Sequence, residues 1–167
     1  MLRIEGPNLS PELQTAAALA NFDVKTEHHI TILPSELFDR QDKEQDGRQR
    51  LDKLADQLAV ICAKGFAIHF DSTAYLVEKA KVIGNGESAT QVPRKSIIVL
   101  VNESCEFAKK VRAVYKKAGF GYDELPFLHT TLFTWPNTDI ARKGIGIANA
   151  IEWELIKKEL FLNRAII

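Results

Sequence analysis

With 167 residues, 46% apolar and 26% charged, the chain has the size and composition of one globular domain rather than of a disordered segment. Lys plus Arg and Asp plus Glu both number 22, so no global field draws the protein to duplex DNA or anionic lipid, although gripping one phosphate needs only a few local donors. No apolar run has signal-peptide or membrane-span length, and Cys62 and Cys105 stand outside any motif, as reduced thiols do; a cytoplasmic protein without a membrane partner is expected.

Ser10, Pro11 and Glu12 place a capping hydroxyl before a proline at the first helical position, predicting a short helix through Ala20. Residues 24–33 predict one strand, ended by Pro34, which cannot donate to a central ladder. The charged stretch 35–47 predicts a surface crossing. Leu51, Leu54, Ala55, Leu58, Ile61 and Cys62 then recur at helical spacing, giving a helix over about 44–63 stopped by Gly65. Strands are predicted at 66–70 and 74–83, a long loop at 84–95, and a central strand at the apolar run 96–101. Phe107, Val111, Val114, Tyr115 and Ala118 mark an amphipathic helix closed by Gly119. A strand over 127–135 follows, then a weak helix over 139–151, where Gly144 and Gly146 each cost about 1 kcal/mol relative to Ala. The segment 153–162 predicts a last strand. These elements make a single α+β or α/β layered domain over 1–167, with two strand-plus-helix halves.

Each half holds one histidine followed two residues later by threonine: His28-His29-Ile30-Thr31-Ile32-Leu33 and Leu128-His129-Thr130-Thr131-Leu132-Phe133. Strand side chains alternate, so His29 shares a face with Thr31, and His129 with Thr131, while Ile30 and Ile32 point to the core. Four His and nine Thr give two such hits by chance at roughly 2%, too rare to dismiss and common enough to demand a geometric test. Two imidazole–hydroxyl pairs facing one cleft would suit a phosphate. The hydroxyls donate to non-bridging oxygens. One neutral ring takes a proton from the attacking water and the other, charged, protonates the departing oxygen; a pKa of about 6.5 serves both roles. Which histidine plays which role stays open, and the arrangement calls for no metal or cofactor.

HHITIL and LHTTLF resemble the paired His-hydrophobic-Thr-hydrophobic motifs of the 2H phosphoesterase superfamily, which includes RNA 2′,3′-cyclic phosphodiesterases and 2′-5′ RNA ligase-like proteins. The spacing of 100 residues between His29 and His129 is also similar to that family's. The resemblance implies a bilobal α+β fold of two pseudo-twofold-related lobes about a central cleft. It further implies metal-independent chemistry at a 2′,3′-cyclic or 2′-5′ phosphodiester of an RNA end or nucleotide, with His29, Thr31, His129 and Thr131 at the motif positions. Two features depart from the pattern: Thr130 replaces an apolar residue, and the chain opens with a helix where many members begin on a strand.

Other residues carry weaker signals. His28 points away from His29 in a regular strand, and with His69 the only other histidine a metal site is not expected. Asp23, Glu27 or Asp71 could orient an imidazole. Tyr122, Phe127, Phe120 or Trp135 could stack on a base or simply pack, and Arg94-Lys95 could attract phosphate or be solvated loop. Lys109, Lys110, Arg112, Lys116 and Lys117 read as a solvated basic face. Two rivals to an enzyme remain: a module binding an RNA end or nucleotide phosphate with little turnover, and a structural domain whose His-Thr pairs satisfy only local hydrogen bonds.

Overall fold

The apolar run at 96–101 lies where such a run must, inside a sheet, with Ser96, Ile97, Ile98, Val99 and Val101 buried. The computed structural model describes residues 1–135 and 144–167. In chain order the elements are β1 (Leu2–Ile4), α1 (Pro11–Leu19), β2 (Asp23–Val24), β3 (His28–Ile30), α2 (Ser35–Gln41), α3 (Gly47–Lys64), β4 (Phe70–Ile83), β5 (Thr90–Val101), α4 (Glu106–Lys117), β6 (His129–Trp135), α5 (Ala150–Leu155) and β7 (Lys157–Leu162). The described strands pair antiparallel in a five-stranded sheet, β2-β6-β5-β4-β7, and a two-stranded one, β1-β3. The fold is α+β. No described helix is long and apolar enough to cross a membrane.

Three bodies of apolar side chains hold it together. Leu13 and Ala17 of α1 cover one face of the large sheet at Ala74, Ile97, Val99, Leu132 and Phe133. Ile145 and Ile147 cover the other face at Val77 and Ile98. The third body joins α3 and α4 to Ile30, Ile32 and Leu128, so the two isoleucines of the first motif do face the core. Fully burying one such leucine or isoleucine contributes roughly 1.5–3 kcal/mol.

Several caps follow the sequence reading. The Ser10 hydroxyl accepts from the Leu13 N–H at 3.2 Å, and Gly65 ends α3 with φ +66°, a backbone state that costs glycine nothing. Elsewhere the structure corrects that reading. The strand expected over 24–33 is two short strands in different sheets: β2 pairs with β6 while β3 pairs with β1, and Thr31 lies just beyond β3. The crossing at 35–47 contains α2, whose Leu37 and Gln41 are buried; charges on its outer face hid one apolar turn. Residues 66–69 form no strand, and β4 instead runs as one long strand with an irregularity between Phe70 and Ala74.

The loop at 84–95 is shorter than expected, because Thr90 to Lys95 continue β5. Pro93 pairs with Ala80 of β4, and among the described residues β6 meets β5 only from Lys95 onward, so no described strand on that side calls for the missing N–H. Of the helix expected over 139–151, residues 139–143 lie outside the described residues and 144–149 are not helical. The helix begins at Ala150, where the Asn149 side chain accepts from the Glu152 N–H at 2.9 Å. The tail divides into α5 and β7 rather than one strand. A strand, β1, also precedes α1, so the helical opening read from the sequence does not stand.

Candidate functional site

Alternation along β6 places His129 and Thr131 on one face, opposite Thr130, whose partner across the ladder is Val99. One residue further, β6 breaks step. Ile97 pairs with Phe133 but Ile98 with Thr131, leaving Leu132 as an extra residue, a bulge of the kind that re-aims side chains and carbonyls. The Leu132 carbonyl accepts from the Lys25 N–H at 2.8 Å. The carbonyl before it, that of Thr131, accepts from Nδ1 of His28 at 3.2 Å. Two successive carbonyls of the second motif thus fasten the approach to the first.

The result is one hollow of about 260 Å³ lined by His29, Thr31, His129 and Thr131, with Lys25 and Gly144 on its walls. All four motif residues come together, although 100 residues separate the histidines. Its volume is below the roughly 300–1,000 Å³ of drug-sized pockets and suits a small polar group. A larger hollow of about 570 Å³ lies beside β1 and α3, where Ile61, Phe66 and Phe107 share the walls with Arg3 and Glu5 but no histidine or threonine takes part, and burial raises the pKa of its Cys62 thiol. The convergence of two imidazoles and two threonine hydroxyls, rather than size, makes the smaller one the candidate site.

The two imidazoles sit in unlike surroundings. His129 is 6% exposed, with Nδ1 2.8 Å from the Phe127 carbonyl and Nε2 3.3 Å from the Ile145 carbonyl. Burial lowers its pKa, while the two carbonyls, which both accept only when the ring is protonated, act in the opposite sense. His29 is half-buried; burial lowers its pKa and the Lys25 ammonium lowers it further, so it is neutral near pH 7. Gly144 closes over Thr131: a Cβ at this position would lie 2.7 Å from the threonine Oγ1. The segment carrying Gly144 and Ile145 is fixed by Glu152, which accepts from the Ala148 N–H at 2.6 Å and pairs with Lys79.

Other residues singled out in the sequence fall elsewhere. His28 points out of the hollow, its ring against the backbone of Gly6. None of Asp23, Glu27 and Asp71 bonds to a described imidazole, and Glu27 instead meets Arg3 at 3.9 Å on the surface. His69 is exposed, and Cys105 is a buried residue capping α4. Tyr122 is 71% exposed, on a groove with Phe127 and Trp153. Phe127 stacks on Trp153 at 4.8 Å, and its ring centroid lies 5.7 Å from that of His129. Phe120 packs inside against Tyr115, and Trp135 lies beneath Lys95.

Sequence reasoning missed Lys25, Gly144 and the carbonyls of Phe127 and Ile145. Lys25 had a signal, because it stands four residues before His29 and so has its parity. The carbonyls had none, since every residue carries one. Comparison with family models, with curated proteins and with solved structures finds no match to the chain, so what the site does is argued from its own geometry.

Proposed function

We propose that the protein is a phosphodiesterase that opens a 2′,3′-cyclic phosphate, or cleaves a 2′-5′ link, at an RNA or nucleotide end, without a metal. The observation that carries this reading is the meeting of both His-x-Thr pairs in one hollow. In finer terms, the two sheets would be the two lobes of a bilobal 2H phosphoesterase-like fold, with the hollow as its central cleft.

His29, held neutral, takes a proton from the attacking water as the water oxygen bonds to phosphorus. His129 in its protonated form, which its two carbonyl acceptors favour against the burial that lowers its pKa, gives its Nε2 proton to the departing ribose oxygen as the P–O bond breaks. The product is a phosphomonoester, and solvent returns both rings to their starting states. Thr31 and Thr131 donate to the non-bridging oxygens and hold the phosphorus in line.

The test is hydrolysis of a nucleoside 2′,3′-cyclic phosphate by the wild type, His29→Ala and His129→Ala. Each substitution is expected to lower turnover at least 10²-fold while the circular dichroism spectrum is unchanged. Near-normal hydrolysis by both variants removes the proposal. A second reading, a binding module with little turnover, is favoured by the engagement of His129 Nε2 with the Ile145 carbonyl, which competes with any leaving oxygen. Saturable binding of a nucleoside monophosphate with no product over hours would select it.

A further inference from the structure

We propose that Lys25 is the anion anchor of this hollow, its ammonium binding a non-bridging phosphate oxygen beside the hydroxyls of Thr31 and Thr131. The ligand taken is then an anionic phosphate ester rather than a neutral nucleoside. The inference rests on the phosphate reading given above.

Geometry supports it first. Lys25 lines the hollow together with all four motif residues, close enough for its ammonium to act on the His29 ring. Its backbone is pinned at 2.8 Å to the carbonyl of the bulge residue Leu132, so the lysine is carried by the same strand that presents His129 and Thr131. Val24, just before it, pairs with Phe133, and the chain leaves that sheet only after Lys25 to begin β3 at His28. The lysine therefore stands at the point where the two sheets part. It is half-buried, and in a partly enclosed site a unit charge acts more strongly than in open water. Among the described residues no carboxylate pairs with Lys25, so its charge is not already neutralised by an ion pair. A cation beside the His29 imidazole opposes protonation of that ring, and it supplies the charge that two threonine hydroxyls lack. The groups that act on His29 are Lys25, the Met1 amino group and His28, which favour its neutral form, and Glu27, which opposes them; Arg3 lies across from it in the β1–β3 ladder. Removing the lysine charge should thus move His29 upward in pKa as well as weaken the anion.

The experiment follows the ring-proton NMR signals of His29 and His129 in the wild type, Lys25→Met and Lys25→Arg. Each protein is titrated with acid and, separately, with inorganic phosphate, adenosine 3′-monophosphate and neutral adenosine. Expected for Lys25→Met are at least tenfold weaker binding of both phosphates, an unchanged weak response to adenosine, and a higher His29 midpoint. Lys25→Arg should retain phosphate binding. Equal phosphate affinity in the wild type and Lys25→Met, with the His29 midpoint unmoved, overturns the role of Lys25 and leaves the phosphate reading standing. A wild type whose imidazoles ignore both phosphates overturns the reading and this inference together.

Discussion

Nδ1 of His28 lies 3.2 Å from the carbonyl oxygen of Thr131, so a residue beside the first imidazole is bonded to the backbone of the second motif. This tie bridges the two sheets, and the Gly6 backbone braces the ring from behind, a Cβ there falling 2.4 Å from His28 Cδ2. His28→Phe keeps the ring but not the donor and is expected to lower turnover about tenfold, while His28→Asn, whose amide can reach the same carbonyl, retains more. Gly6→Ala should act like His28→Phe. The pair combined should cost less than the sum of its parts, measured as kcat/KM in a double-mutant cycle. Additive effects would mean that the glycine and the ring do not act as one unit.

Gly144→Ala is expected to press on Thr131, because the new Cβ would lie 2.7 Å from its hydroxyl oxygen. Displacing one hydrogen-bond donor should lower kcat/KM for the cyclic phosphate roughly tenfold, through about 1.4 kcal/mol of lost positioning. Thermal melting should hardly change. A fully active Gly144→Ala would remove Thr131 from the phosphate contacts.

Thr130→Val is expected to stabilise the protein. The Thr130 hydroxyl is buried and has no hydrogen-bond partner among the described residues, a state that costs roughly 1–3 kcal/mol. Replacing the hydroxyl by a methyl group should raise Tm by about 2–4 °C for each kcal/mol recovered. A lower Tm would mean that the hydroxyl is satisfied. The substitution faces α1 rather than the hollow, so activity should be preserved.

Acid should weaken the fold near the histidine range. His29 and His129 both have lowered pKa values, chiefly from burial, so below an unfolded value of about 6.5 the unfolded chain binds protons that the folded chain refuses. Stability is complete above that value and falls as the pH drops toward the folded pKa values, by at most about 1.4 kcal/mol per pH unit for each ring. Urea midpoints measured between pH 7.5 and 5 should show this slope, and His129→Asn should flatten it. An equal slope in the variant would assign the acid sensitivity to other groups.

Much of this arrangement was legible in the sequence, and the remainder was hidden for physical reasons. The cap at Ser10, the stop at Gly65 and the second motif strand follow from local chemistry that tertiary contacts left alone. The first motif strand did not survive whole, because alternation shows which side chains share a face but not whether ten extended residues stay in one sheet. The repeated His-x-Thr pattern singled out the four residues that line one hollow, and the break between β2 and β3 did not part His29 from Thr31. The different environments of the two imidazoles could not be read, since they come from main-chain carbonyls and from a lysine placed by a bulge.

The extra residue at Leu132 has a consequence for room. Leu132 and Phe133 both turn toward α1, consecutive in sequence yet on the same side, which strict alternation forbids. A strand that kept step would send the Phe133 ring where the imidazole of His129 and the hydroxyl of Thr131 now look. A benzyl group would then fill the chamber that both halves of the chain converge to enclose.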